Sequence, residues 1–137
     1  MSQIIDGKMV AETMKIAIGV EVKEMVAAGQ KAPHLVAILV GNNGSSETYV
    51  ANKVKSCEEL GFASTLLRFD PSISETDLLA EVQKVNDNPD MDGLIVQLPL
   101  PAHINPDKVM ETIHPSKDVD GFHPINIGRM AKGLPAY

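Results

Sequence analysis

Two hydrophobic periods alternate along this chain, and the alternation restricts its fold more than any other feature. Over 8–28, Val10, Met14, Ile18, Val22 and Met25 recur every three or four residues, which predicts a helix. Gly29 follows as a left-handed stop. Residues 33–40 are a short, nearly unbroken apolar run, suited to a strand covered on both faces. Gly41-Asn42-Asn43-Gly44 interrupts it, and Ser45 or Ser46 is placed to cap a helix with Val50, Val54, Cys57 and Leu60 on one stripe. Residues 62–69 predict a second strand, less uniformly apolar and so expected near an edge. Ser72 with Glu75, or Ser74 with Asp77, fits a capping box ahead of Leu78, Leu79, Val82 and Val85. After turn chemistry over 88–93, residues 94–98 predict a buried strand, stopped by Pro99 and Pro101. Asn105-Pro106 opens a further helix with Val109, Met110 and Ile113 inward, and beyond His114-Pro115 the pattern is irregular. Strands alternating with helices at this spacing predict one α/β domain of three layers, a mostly parallel sheet between helices.

Composition narrows the function classes. A length of 137 residues suits one domain, and 44% hydrophobic with 22% charged residues excludes general disorder. No apolar run approaches the roughly 20 residues that cross a bilayer, so no membrane partner is expected. Residues 1–8 lack a secretory signal, and the single cysteine cannot form an internal disulfide, which together point to a reduced, cytoplasmic setting. Twelve basic against eighteen acidic residues leave a net charge of -6, which opposes binding to phosphate backbones. Three Phe, two Tyr and no Trp offer little for stacking bases, so nucleic acid is not an expected partner.

In an open parallel sheet, ligands gather beyond the carboxyl ends of the strands. That rule collects residues 41–53, Gln97, and the carboxylates Asp118 and Asp120 at one edge. Tyr49 and Lys53 are four apart, so they share a helical face roughly 100° from the Val50–Val54 stripe and border the core. An amine against an apolar wall can act as a general base, although a lysine snorkelling beside a tyrosine explains the same spacing. Gln97 ends an apolar strand, so its amide either satisfies neighbouring backbone or orients a ligand. Asp118 and Asp120 flank Val119 and point to opposite sides if extended; one can cap a turn while the other enters a cleft. Other signals fail. Gly41 and Gly44 match neither a P-loop nor the G-x-G-x-x-G fingerprint, and His34, His103, His114 and His123 lack metal-ligand spacing. Cys57 lies on an apolar stripe, where a thiol behaves as a small hydrophobe.

Three strings then point to a family. Ser46-Glu47-Thr48-Tyr49-Val50-Ala51-Asn52-Lys53 with Cys57-Glu58-Glu59-Leu60-Gly61 is the first. Gly93-Leu94-Ile95-Val96-Gln97-Leu98-Pro99-Leu100-Pro101 is the second, and Lys117-Asp118-Val119-Asp120-Gly121-Phe122 the third. In this order they closely resemble the bifunctional methylenetetrahydrofolate dehydrogenase/methenyltetrahydrofolate cyclohydrolases, and the resemblance extends through Asn126-Ile127-Gly128-Arg129-Met130. It implies the three-layer α/β fold of amino-acid-dehydrogenase-like N-terminal domains. It implies two reactions of one-carbon folate metabolism: NAD(P)-dependent oxidation of 5,10-methylenetetrahydrofolate, and hydrolysis of 5,10-methenyltetrahydrofolate to 10-formyltetrahydrofolate. By the same resemblance Lys53 matches the catalytic lysine and Tyr49 the ring that stacks on the aminobenzoate. Gln97 matches a glutamine hydrogen-bonded near that lysine, Val96 and Leu98 line the folate, and Asp120 grips the pterin.

The resemblance also sets expectations for the whole. Residues 1–137 correspond to the folate-binding catalytic domain, and the nucleotide-binding domain of the family is absent from them. NADP or NAD serves the full-length family enzymes, and none is expected bound here. The partners are tetrahydrofolate derivatives, and the family homodimer forms largely through the other half. In the family a final segment also covers this domain, so its loss predicts an exposed apolar patch. Two alternatives stand beside this reading: a folate- or pterin-binding module that does no chemistry, and the substrate domain of another α/β dehydrogenase. Shikimate dehydrogenases exemplify the latter, but their N-x-T-x-P-x-K string is missing. A flavodoxin-like signalling domain would want clustered acids after the first strand, where glycine, asparagine and serine stand instead.

Overall fold

The apolar run after Pro33 becomes the middle strand of a parallel sheet. In the computed structural model, which describes residues 4–136, β1 (His34–Val40) lies between β2 (Ala63–Phe69) and β3 (Gly93–Val96). Both pairings are parallel, with Ala37 opposite Leu66 on one side and Ile95 on the other. The helices are α1 (Gly7–Ala27), α2 (Gly44–Leu60), α3 (Glu75–Asp87), α4 (Pro106–Thr112) and α5 (Pro124–Ala131). None of them is long and apolar enough to cross a membrane.

Successive side chains of a strand face opposite ways, and β1 divides its residues between two cores. Val36, Ile38 and Val40 join Leu94 and Val96 under Leu78, Val82 and Val85 of α3 and Val109 of α4. Ala37 and Leu39 turn the other way, onto Val50 of α2, with Val54 and Leu66 around them. The sheet is therefore the middle of three layers, with β2 at an edge as its weaker apolar pattern predicts.

Local chemistry starts and stops the elements, with some differences from the sequence reading. Asn43, not Ser45 or Ser46, caps α2, because its side-chain oxygen reaches the amides of both serines at 3.1 and 3.2 Å. Gly61 ends α2 at φ 82°, a left-handed conformation that costs glycine nothing. Of the two capping boxes, Ser74 with Asp77 forms, while Ser72 closes a turn on Asp70. Asn105 caps α4 with Pro106 in its first turn. The stretch whose pattern is irregular contains α5, started by Pro124 and by the His123 ring nitrogen, which accepts from the Ile125 amide. Strand β3 ends at Val96, earlier than predicted, although the Gln97 amide still donates to the Ile38 carbonyl at 2.9 Å.

Helix α1 forms over the predicted span but does not bury its predicted stripe. Only Val22 is buried, while Val10, Met14, Ile18 and Met25 stay exposed. The sheet face behind it is already occupied by α2, which α1 meets where Gly19 approaches Leu60 and Val22 approaches Gly61.

Two features fasten the start of β3. Asp92 accepts from the Lys31 ammonium on both carboxylate oxygens and from the His34 amide, all at 2.8 Å. Past β3, the chain returns so that the Leu94 amide donates to the Lys117 carbonyl at 2.7 Å, and Leu94 pairs with Asp118 in a parallel bridge. This brings Val119 against Gly93, where an added Cβ would fall 2.6 Å from Val119 Cγ1 and 3.3 Å from Leu35 Cδ1.

Burial raises the Asp92 carboxyl, but the hydrogen bonds from Lys31 and His34, with their charges, outweigh it and hold the group below its ordinary 3.8. Its stabilising contribution is complete above the ordinary carboxylate range and is lost as pH falls through the lowered folded value. Urea unfolding followed across that acid range is expected to show a smaller pH dependence in Asp92→Asn than in the parent. Gly93→Ala is expected to destabilise the fold by about 1–3 kcal/mol, the cost of overpacking, measured by the same unfolding curves. An unchanged midpoint would show that Val119 can yield freely.

Candidate active site

Helix α2 covers β1 and β2 but not β3. The cluster beneath it takes in Ala37, Leu39 and Leu66 and nothing from β3. By the period of two, Gly93, Ile95 and Gln97 face this same side, opposite Leu94 and Val96. On this side of β3, Gly93 lies beneath Val119 and Ile95 is buried at 6% exposure, so the groove opens along the flank of α2 and reaches the sheet at Leu35, near the start of β1.

Ser46, Tyr49 and Lys53 lie along that flank at helical spacing. Ser46 is buried, and its hydroxyl donates to the Leu98 carbonyl at 3.3 Å. The Gln97 side-chain nitrogen donates to the same carbonyl at 2.9 Å. These two donors tie the segment after β3 to the first turn of α2, at the carboxyl end of the sheet. The sequence offers Ser46 as a cap and as the first residue of the Ser46–Lys53 string, and its spacing of three from Tyr49 is what puts it on this flank. Gln97 is half-buried, less enclosed than a strand interior implies, because β3 has already ended. Among the described residues it bonds to neither Lys53 nor Asp120.

Lys53 and Asp120 do meet. The ammonium lies 3.8 Å from Asp120 Oδ1, and each side chain is about one-third exposed at 32%. That separation is an ion pair but too long for a direct hydrogen bond, so both groups keep bonding capacity for a third. Below the pair an open groove of about 350 Å³ runs past Tyr49, Asn52, Lys53 and Ser56 towards Leu60 and Leu35. The site thus extends down the sheet face from the carboxyl edge where the sequence placed it.

Two expected positions differ. Tyr49 does not border the core: it is 64% exposed and stands at the groove rim, because the flank of α2 that carries it faces the groove and not the sheet. Val96 is 4% exposed and belongs to the core under α3 and α4, so its side chain faces away from Lys53. Leu98 is exposed enough to offer an apolar surface and borders a second groove with Met110, Phe122 and Ile127.

The two aspartates separate as their spacing predicts. Asp118 turns inward and accepts from the amides of Phe122 and His123 and from the Asn126 side chain. Asp120 turns out to the groove. Lys117 pairs with neither; its ammonium donates to the Val85 and Asn88 carbonyls at 2.7 Å, completing the C-terminal end of α3. Cys57 is buried, and burial, with Glu58 beside it, pushes its thiol up, which makes it a poor nucleophile.

An amine and a carboxylate in contact, an amide at the head of the groove and an exposed aromatic face can bind a flat heterocycle and move a proton beside it. Comparison with known proteins places the chain. Residues 5–120 match the model of the tetrahydrofolate dehydrogenase/cyclohydrolase catalytic domain. The bifunctional protein FolD of Bacteroides fragilis is 59% identical over 134 residues, covering 98% of this chain and 46% of that protein. A solved 5,10-methylenetetrahydrofolate dehydrogenase from the silkworm Bombyx mori superposes with a TM-score of 0.95 at 40% identity, over 99% of this chain and 47% of the other. The FolD methylenetetrahydrofolate dehydrogenase/cyclohydrolase of Campylobacter jejuni superposes at 0.91 with 41% identity, over 94% and 45%. This chain spans about half the length of the curated relatives it matches. With a family model matched over most of its length and the same backbone in both solved structures, the chain belongs to the tetrahydrofolate dehydrogenase/cyclohydrolase family.

Proposed function

We propose that residues 1–137 form a folate-binding catalytic domain that hydrolyses 5,10-methenyltetrahydrofolate to 10-formyltetrahydrofolate, with Lys53 as its proton-handling residue. The observation that carries this reading is the approach of Lys53 to Asp120 at 3.8 Å beside an open groove with Tyr49 on its rim.

Each role follows from the chemistry of the ligand. A pterin presents adjacent N–H donors, which an ionised carboxylate accepts in a paired arrangement, and Asp120 offers such a carboxylate. The exposed Tyr49 ring gives the aminobenzoate a face to stack on, and Leu98 adds apolar surface. The methenyl group is cationic, so its arrival disfavours a second positive charge and favours neutral Lys53. Water then adds to the methenyl carbon as the neutral amine takes one of its protons; the resulting carbinolamine loses its hydroxyl proton while N5 gains one, the carbon–N5 bond breaks, and the formyl group stays on N10 with one proton released overall. Gln97, which here donates to the Leu98 carbonyl, is uncharged, so turned towards the ligand it would hydrogen-bond without supplying a proton.

The family's other reaction transfers a hydride to NAD(P), and the residues here do not fit a dinucleotide. No G-x-G-x-x-G follows any of the strands. The first amides of α2, the natural cradle for a phosphate, are already held by Asn43.

Adding 5,10-methenyltetrahydrofolate to the purified chain and following its absorbance tests the reading. Lys53→Met is expected to lower turnover by roughly 10²–10⁴-fold, the usual range for loss of a general acid–base, while still binding the ligand. A Lys53→Met protein with undiminished turnover would refute the assignment. Binding by the parent chain with no turnover above buffer would favour a folate-binding module instead.

A further inference from the structure

Among the described residues Asp118 is the one buried carboxylate, 2% exposed, and the chemistry above does not use it. We infer that Asp118 is a positioning residue for Asp120: its buried carboxylate closes the loop that presents Asp120 to Lys53. Its Oδ1 accepts from the Phe122 amide at 3.2 Å, and its Oδ2 accepts from the His123 amide at 2.8 Å and the Asn126 side chain at 2.9 Å. Its carbonyl accepts from the Gly121 amide at 3.2 Å, and Gly121 turns at φ 70°, which suits glycine. No cation lies in salt-bridge range of it among the described residues, since the neighbouring Lys117 is committed to α3. Backbone and side-chain donors at the start of α5 therefore hold this charge.

Asp120 sits inside that frame. Val119, before it, is wedged on Gly93, and Gly121, after it, is bonded back to Asp118. The Asp120 carboxylate itself accepts no hydrogen bond among the described residues, and its one partner is Lys53. Its place is set by the loop, and the loop is set by Asp118. Three donors converge on Asp118, which only an acceptor-only group can satisfy; an asparagine would aim its own N–H bonds at one of them.

Trace acetylation of the purified chain by acetic anhydride, with Lys53 and Lys55 read by peptide mass mapping, tests this without any folate. Asp120→Asn is expected to speed acetylation of Lys53 about two- to fivefold, the range of a partly exposed ion pair, and to leave Lys55 unchanged. Asp118→Asn is expected to give the same increase, and the double variant no more. Lys53 labelling at the parent rate in either single variant, or additive effects in the double, would overturn the inference. Where thermal melts show Asp118→Asn unfolded, Asn126→Ser removes one of the three donors; a smaller rise at Lys53 supports the proposal, and none overturns it. The consequence for folate rests on the reading proposed above: Asp118→Asn should weaken binding of 5,10-methenyltetrahydrofolate about tenfold, and no further in an Asp120→Asn background. Loss of that effect alone would count against the folate reading, while the labelling result judges the positioning by itself.

Discussion

A strand paired on both sides and covered on both faces has no direction left in which a polar side chain is satisfied. β1 is in that position from Val36 to Val40, and the rest of the molecule is arranged around it. Its alternate residues supply both cores, Val36, Ile38 and Val40 to one and Ala37 and Leu39 to the other. Each fully buried aliphatic side chain there contributes on the order of 1.5–3 kcal/mol. Because the pairings are parallel, every return to the sheet needs a crossover, and those crossovers are the helices. The loops at the strands' carboxyl ends are consequently the places where polar residues from distant parts of the chain meet.

The two faces are not equally covered, and the site depends on the difference. One has α3 and α4 over β1 and β3; the other has α2 over β1 and β2. The α2 cover stops at a flank that carries Ser46, Tyr49 and Lys53, and a groove runs along that flank to Leu35 near the start of β1. A groove there needs no dedicated cavity in the core. Gly93 belongs to the same arrangement, because only a missing side chain lets Val119 come down on the sheet and carry Asp120 to the groove.

Much of this was legible in the sequence because it rests on local rules. The continuous apolar run of β1, the Ser74–Asp77 box and Asn105-Pro106 each state an element through chemistry within a few residues. The convergence of Lys53 with Asp120 was also readable, since strand ends in a parallel sheet share one edge. What escaped depended on tertiary coverage. Helical periodicity predicted α1 but could not show that α2 already held the sheet face, so Val10 and Met14 stayed exposed. The same ignorance of coverage placed Tyr49 against the core, and it took the strand register to turn Val96 away from the groove. Asn43 is the cap in place of either serine because the helix starts at Gly44, which puts Ser45 and Ser46 inside its first turn, where their amides are the ones to be capped.

The ion pairs divide by how fully their acids are engaged. Asp92 and Glu75 meet their lysines at 2.8 Å and also accept backbone amides, from His34 and Asn105, which leaves them saturated and useful only to the fold. Asp118 is saturated too, with three donors and no cation. Asp120, two residues on, stands 3.8 Å from Lys53 with its acceptor capacity unspent. A carboxylate intended for a ligand must be left in that condition, because a group already bonded to its own backbone gains little by exchanging one donor for another. Leaving it so costs the loop the bonds that would otherwise hold it, and the neighbouring buried acid makes up the difference. One aspartate is committed to structure, while the other, displaced by a single strand repeat, keeps its acceptor capacity open beside Lys53.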